Sequence, residues 1–97
     1  MQQVTSEQVS DWFTENTQGF SAREVIVLRI IANNYDESLG MTNMTSEQVA
    51  EQSGYSLRTV RAAINDLRKR DGWKIFYGKG STAIRAVPFF ASKPNPA

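Results

Sequence analysis

Apolar residues recur at helical spacing in the first third of the chain. Val9, Trp12 and Phe13 are three and four positions apart, which places them on one face of a predicted helix. After Ser21, seven of the eight residues from 25 to 32 are apolar, so the second predicted helix is apolar on nearly all sides. Such helices are normally buried between other elements, and we predict that this one is the central helix of the core.

The same polar pattern marks three of the predicted helix starts. Thr5, Ser21 and Thr45 are each followed three residues later by Gln or Glu, and an apolar pair flanks each of them. This is the pattern of a capping box with a hydrophobic staple. The sequence TSEQV occurs at residues 5–9 and 45–49, but its neighbours differ at once. We therefore interpret it as one helix-start code used twice, not as an internal duplication.

Two predicted helices in the middle of the chain are joined by a very short turn. The helix that starts at Thr45 is expected to stop near Gly54, because glycine readily takes the left-handed conformation that ends helices. Ser56 caps the next helix, which is predicted to run to Arg70. Two helices joined by about three residues that include a glycine are typical of a helix-turn-helix.

The last of these helices, residues 56–70, has two different faces. One is an apolar stripe formed by Leu57, Val60, Ile64 and Leu67. The other is rich in guanidinium and amide groups and carries Arg58, Thr59, Ala62, Asn65, Asp66 and Lys69, flanked by Arg61 and Arg68. Arginine can read guanine, asparagine can read adenine and alanine permits close approach, so this face suits a DNA major groove. The alternative is a solvated basic face without a ligand.

A β-hairpin is predicted after this helix. Residues 73–77 and 82–87 are rich in aromatic and β-branched side chains, and a glycine-rich turn at residues 78–81 separates them. Its basic residues are Lys74 and Arg85 on the strands and Lys79 at the tip. A basic hairpin tip beside a recognition helix typically lies against the phosphate backbone or in the minor groove.

The segment from residue 20 to residue 80 resembles the winged helix-turn-helix domains of bacterial, phage and plasmid regulators and replication proteins. The matching pieces are residues 20–28 (FSAREVIVL), 45–49 (TSEQV), 54–60 (GYSLRTV) and 71–73 (DGW). Their order is most similar to the domains that open phage replication initiator proteins. Family members often have Leu or Ile after the glycine that follows the recognition helix, where this chain has Trp73.

The resemblance implies an α+β, mostly helical fold. The fold it implies is a winged helix-turn-helix, in which three or four helices form the core and a C-terminal β-hairpin forms the wing. It also implies a short strand near residues 41–44 that joins the sheet of the wing. We expect the domain to span residues 1–90, with residues 91–97 as a disordered tail or linker stub.

The formal net charge of +1 hides a division of the chain into two halves. Residues 1–54 contain two basic and eight acidic residues, a formal charge of −6. Residues 55–85 contain eight basic and two acidic residues, a formal charge of +6. The basic half is the predicted recognition helix with its hairpin, which is where a DNA-binding domain carries its electrostatic footprint.

The composition argues against catalysis. The chain has no His and no Cys, which excludes the commonest general base, the thiol nucleophile and most zinc sites. The turn at residues 78–81 is too short for a phosphate-binding loop. The polar loop at residues 33–43 lacks the alternating ligands of a calcium site. We therefore expect no enzymatic activity, metal, cofactor or small-molecule substrate.

The remaining expectations concern location and assembly. No apolar run approaches the roughly 18 residues of a membrane span, and the N-terminus lacks the pattern of a signal peptide. We expect a cytoplasmic protein without membrane association. A homodimer is expected, because dimers that read two half-sites are common among such proteins.

The predicted function is sequence-specific binding of double-stranded DNA, in phage or plasmid replication initiation, origin binding or transcription regulation. The alternative is a winged helix that serves as a protein–protein adaptor. The predicted DNA-binding residues are Ser56, Arg58, Thr59, Arg61, Ala62, Asn65, Arg68, Lys69, Lys74, Lys79 and Arg85. Arg58 and Asn65 are the candidates for base contacts, and most of the other cations are candidates for phosphate contacts.

Several of these residues have structural alternatives. The cations at residues 68–70 could complement the dipole at the end of the helix. Arg85 could pair with an acidic residue of the first half. Trp73 and Phe76 are expected in the core of the hairpin sheet and not as stacking platforms. Pro88 is expected to end strand pairing, and the two phenylalanines that follow it to pack back on the domain, against Trp12 or Phe13.

Overall fold

The computed structural model describes residues 4–78 and 83–90. Its helices are α1 (Ser6–Asn16), α2 (Ala22–Asn33), α3 (Ser46–Ser53) and α4 (Leu57–Leu67). Its strands are β1 (Tyr35–Asp36), β2 (Met41–Thr45), β3 (Trp73–Tyr77) and β4 (Ala83–Pro88), which form one antiparallel sheet in the order β1-β2-β4-β3. The described chain is therefore a small α+β fold of four helices and a four-stranded antiparallel sheet.

The helices begin where the local code predicts. Thr5, Ser21 and Thr45 each form both hydrogen bonds of a capping box, which satisfy N–H groups that a helix start leaves unpaired. Ser56 caps α4 by accepting the backbone N–H three residues on. Gly54 ends α3 in the left-handed conformation, with φ of 78°. The four predicted helix starts are thus confirmed.

Helix α2 is central, but it is less enclosed than its composition suggests. It contacts α1, α3 and α4, and Val27, Leu28 and Ile31 are fully buried against them. Ile26 and Arg29 are nevertheless exposed. The prediction that α2 is the central helix, packed between others, is confirmed, and the three neighbouring helices cover only part of its circumference.

One face of the sheet closes the core. The inward-facing residues of the sheet are Thr42, Met44, Trp73, Ile75, Ile84 and Ala86. The apolar members of this set join the buried residues of α2 and α4 in one hydrophobic cluster. None of the described helices is long and apolar enough to cross a membrane.

The segment between α2 and α3 contains one more strand than predicted. The expected strand at residues 41–44 is confirmed as β2, and Tyr35–Asp36 pairs with it as β1. Tyr35 is buried, because its hydroxyl donates to the carbonyl of Val4 at 2.6 Å and its ring packs edge-on against Trp73. These partners are distant in sequence, so a local pattern of polar residues could not indicate β1.

Pairing in the hairpin continues through Pro88, contrary to the prediction. Pro88 is opposite Trp73, and beyond it the Phe89 and Phe90 N–H groups both donate to the carbonyl of Gly72. The hydrogen bond from Phe89 makes Phe89 and Gly72 a hydrogen-bonded pair. Such pairs alternate with non-hydrogen-bonded pairs along an antiparallel ladder, so Pro88 and Trp73 form a non-hydrogen-bonded pair. At this position the backbone nitrogen of Pro88 is not required to donate to β3. The missing N–H of proline therefore does not disturb the ladder.

Of the two phenylalanines that follow Pro88, Phe90 packs on Trp12 as expected, whereas Phe89 lies beside Lys74. The Phe90 ring stacks on Trp12, with 5.2 Å between the ring centroids. This stack lies beside Gly72, whose φ of 113° is strained for any residue with a Cβ. A Cβ at Gly72 would lie 2.1 Å from the Trp12 ring. The connection from α4 to β3 therefore requires glycine at this position.

Candidate nucleic-acid interface

Helix α4 has a buried face and, on its opposite side, a basic face. Its buried residues are Val60, Ala63, Ile64 and Leu67. The exposed residues opposite them are Arg58, Arg61, Asn65, Arg68 and Lys69. At about 100° per residue, these five span an arc of roughly 100° on α4 and its C-terminal continuation. Because the opposite side packs into the core, this basic face is turned to solvent.

The cations on this face are not neutralised by the described part of the chain. Within residues 4–78 and 83–90, the ion pairs are Arg23 with Asp66 and Arg70 with Glu24. Asp66 was predicted on the outward face, but its carboxylate lies 2.7 Å from the Arg23 guanidinium. The carboxylate that would oppose a phosphate at this face is thus paired with an arginine of α2.

Ser56, Thr59 and Ala62 are less available than predicted. The Ser56 hydroxyl accepts the Thr59 N–H at 3.1 Å and donates to the Thr59 hydroxyl at 3.0 Å. Thr59 and Ala62 are half-buried at the edge of the basic face. The two hydroxyls are therefore engaged at the start of α4, and Arg58 and Arg61 are the exposed cations nearest to that end.

Arg70 differs from the neighbouring cations because it has a carboxylate partner. It forms a two-pronged pair with Glu24, in which its Nε bonds Oε2 and its Nη2 lies 3.1 Å from Oε1. Its guanidinium also lies 4.0 Å from the centroid of the Phe20 ring. The hydrogen bond from Arg70 lowers the pKa of the buried Glu24 carboxyl to about 2. Arg70 thus ties the end of α4 to the start of α2, which explains this arginine better than the helix dipole does.

Helix α4 also ends earlier than predicted, at Leu67. The next residues form a turn, in which the N–H of Lys69 and the N–H of Arg70 donate to carbonyls three residues back. In this turn Arg70 pairs with Glu24, a contact that the sequence around residue 70 does not indicate.

Three of the predicted cations meet at the junction of α4 with β3. Arg68, Lys69 and Lys74 line a groove of about 430 Å³, together with Asp71 and the rings of two phenylalanines. The Lys74 ammonium lies 4.3 Å from the centroid of the Phe89 ring. The end of α4 and the first half of β3 therefore share one basic surface.

Arg85 lies on a different face. It is exposed and alternates along β4 with Ile84 and Ala86, which point into the core where α4 packs. Arg85 therefore points to the outer side of the sheet, away from Arg58. It makes no ion pair within residues 4–78 and 83–90, so the alternative of an acidic partner finds no support there. Lys79, at the predicted tip of the hairpin, lies outside the described residues.

Phe76 is exposed, contrary to the prediction that it joins Trp73 in the core. Trp73 is only 5% exposed, whereas Phe76 is 50% exposed. The alternation of β3 contained the signal, because Trp73, Ile75 and Tyr77 share one face and Phe76 shares the other with Lys74. A lysine within the strand marks the solvent face, and Phe76 belongs to it.

No cluster that could hold a metal ion occurs among the described residues. Comparison with family models, with curated protein sequences and with solved structures found no match for this chain. Inference about its function therefore depends on its own residues and their geometry.

Proposed function

We propose that this chain is a winged helix-turn-helix domain that binds double-stranded DNA in a sequence-specific manner. The order of elements supports the proposal: α3 and α4 are joined by three residues that include Gly54, and the β3–β4 hairpin follows α4 directly. Strand β2, which precedes α3, pairs with β4 and extends the sheet of the hairpin. In this interpretation α4 is the recognition helix and the hairpin is the wing.

The observation that carries the proposal is the state of the cations on α4 and on the turn that follows it. Arg58, Arg61, Arg68 and Lys69 are exposed, and none has a carboxylate partner within residues 4–78 and 83–90. A protein that stabilised itself through these residues would pair them, as it pairs Arg23 and Arg70. Unpaired cations on one helix face match the phosphates that border a major groove.

The roles of the residues follow from their positions on α4. Arg58, in the first turn, and Asn65, two turns later, lie on the outermost line of the helix and are proposed to contact base edges. Arg61, Arg68 and Lys69 are proposed to contact the phosphates on either side. Lys74 extends this contact onto the hairpin.

The biological setting belongs to the same proposal. The resemblance to replication initiators and regulators suggests origin binding or transcription regulation by a cytoplasmic protein. A homodimer would place two copies of α4 in successive major grooves about 34 Å apart and would favour a palindromic site.

The experiment is selection of bound duplexes from a random pool, followed by titration of variants on the selected site. Arg58→Ala should weaken binding by about 1 to 3 kcal/mol and relax the base preference at one position. Lys69→Ala should weaken all duplexes alike and make the dependence of log K on log salt shallower by about 1. Arg29→Ala is the matched control, because Arg29 is an exposed cation on α2.

Binding by the Arg29 variant should equal that of the wild type. No mobility shift of any duplex at micromolar protein and low salt would contradict the proposal and favour the protein–protein adaptor. Equal loss in the Arg29 and Arg58 variants would contradict the assignment of α4, because it would show that net charge alone governs binding.

A further inference from the structure

We infer that the outer face of the sheet binds single-stranded nucleic acid, with Phe76 as its stacking platform. Phe76 and Arg85 are on the side of the sheet that faces away from the core. The inference therefore goes beyond the proposed duplex binding, although the two surfaces adjoin at Lys74. Phe76 occupies the fourth of five positions in β3 and is 50% exposed. A single exposed apolar side chain is common on protein surfaces, so the residues around Phe76 decide whether it belongs to a binding site.

The surroundings of Phe76 are cationic and polar. Arg85 is directly opposite it on β4, and Asn43 is opposite Arg85 on β2. All three are exposed on the same face of the sheet. An aromatic ring, a guanidinium and an amide thus form one row across three strands, with neighbouring strands about 4.8 Å apart.

A second aromatic residue continues this surface along the strand direction. Lys74 is two residues before Phe76 on the same face, and its ammonium covers the ring of Phe89. Both rings line the groove that also contains Arg68 and Lys69. Aromatic and cationic side chains therefore alternate over the outer face. A carboxylate on this face, Asp36, belongs to β1, where Ser38 holds it by two hydrogen bonds.

This combination suits unpaired nucleotides better than a duplex or an apolar protein surface. A base can stack on an exposed ring only when it has left its own stack, which happens in single strands. The flanking cations complement the phosphates, and the Asn43 amide can hydrogen-bond base edges. An apolar protein partner would leave Arg85 and Lys74 desolvated without a counter-charge.

The test is fluorescence anisotropy of labelled 15-nucleotide oligo-dT and oligo-rU strands. Stacking on an aromatic side chain is worth about 1 to 3 kcal/mol per base, so Phe76→Ala should weaken binding by about 5- to 150-fold. Phe76→Tyr keeps the ring and should bind as the wild type does. Phe76→Leu keeps an exposed apolar side chain without a π-face and should lose affinity. Leu39→Ala is the matched control, because Leu39 is 55% exposed on a turn.

The same variants separate this inference from the proposed function. Phe76→Ala should leave duplex binding unchanged, and Arg58→Ala should leave single-strand binding unchanged. If the protein binds duplexes but not single strands, the inference is overturned and the proposed function is supported. If it binds single strands but not duplexes, the proposed function is overturned and the inference is supported. The inference also fails if Phe76→Ala and Phe76→Leu bind single strands as tightly as the wild type does. It fails equally if sedimentation shows a dimer that Phe76→Ala dissociates while neither oligonucleotide binds, since Phe76 would then serve a second copy of this chain. Binding of either strand supports the inference, and the preferred strand identifies DNA or RNA.

Discussion

The pair between Glu24 and Arg70 allows a quantitative test of what holds α4 in place. The perturbation is Glu24→Gln, which removes the charge but keeps the shape of the side chain. The Glu24 Oε1 also accepts the Ser21 N–H in the capping box of α2. A glutamine can still do this, because Gln8 and Gln48 occupy the same position in the capping boxes of α1 and α3. The substitution therefore removes the charge of the pair together with the acceptor of the Arg70 Nε–H, and it leaves the capping box intact.

The magnitude follows from the pKa of Glu24. Its fall from 4.5 to about 2 corresponds to about 3 kcal/mol, at 1.36 kcal/mol per pKa unit. Arg70 is the largest cause of this fall, and the hydrogen bonds from Ser21 supply a smaller part that is not lost with the ion pair. Solvent reaches the Arg70 side chain, which is 37% exposed, and screens the pair, so we expect Glu24→Gln to lower the free energy of unfolding by about 2 kcal/mol at pH 7. Because the folded pKa is lowered, this contribution is complete above pH 4.5 and disappears as the pH falls towards 2.

The assay is urea unfolding of the wild type and the variant at pH 7, 4.5 and 3, followed by tryptophan fluorescence. The free energy of unfolding of the variant should be lower than that of the wild type by about 2 kcal/mol at pH 7 and by slightly less at pH 4.5. At pH 3, less than about half of this difference should remain. A difference that stays constant across this range would refute the reasoning, because it would show that the substitution disturbs packing and not an ion pair.

Arg70→Met removes the cation and keeps the Glu24 carboxyl. Burial, which raises the pKa of this carboxyl, is then opposed only by the hydrogen bonds from Ser21, so the pKa should rise from about 2 towards its ordinary value. The stability of this variant should then increase relative to the wild type as the pH falls from 7 to 4. Equal pH profiles for the two proteins would contradict the pairing.

Two further predictions concern the stability of the fold. Gly72→Ala should lower the free energy of unfolding by more than about 3 kcal/mol, because it combines a strained φ with a collision against Trp12. Gly54→Ala should lower it by only about 1 to 2 kcal/mol, because a Cβ at Gly54 meets nothing within 4 Å and only the strained φ remains. Equal losses would contradict the collision. Thr42→Val should lose about 1 kcal/mol, because the buried Thr42 hydroxyl donates to the Ile31 carbonyl at 2.6 Å. Thermal and urea unfolding measure these losses. An unchanged unfolding midpoint for Thr42→Val would contradict a stabilising role of the Thr42 hydrogen bond.

Much of the helical structure could be predicted because its signals are local. The capping boxes at Thr5, Ser21 and Thr45 involve residues three positions apart, and the left-handed end of α3 depends on Gly54 alone. The apolar stripe of α4 depends only on helical spacing, and the exposed residues of its other face agree with it. These features need no knowledge of the rest of the chain.

Two of the errors have a common physical origin in contacts between distant residues, and a third does not. The end of α4 was placed at Arg70, but Arg70 pairs with Glu24, which is 46 positions away. The strand β1 was missed because Tyr35 is buried through partners in other elements. The exposure of Phe76 was mispredicted because aromatic residues were assigned to the core by type, although the alternation along β3 indicated otherwise.

The amino-acid sequence by itself determined where the helices begin, which faces of them are apolar, and that the positive charge gathers in the second half of the chain. These properties depend on hydrogen bonds and spacings within a few residues. Only the tertiary structure decided which cations are free and which are paired, and which face of the sheet the helices cover. The physical reason is that an ion pair or a covered face needs two segments to meet. That meeting is fixed by the packing of the helices on the sheet and not by either segment alone.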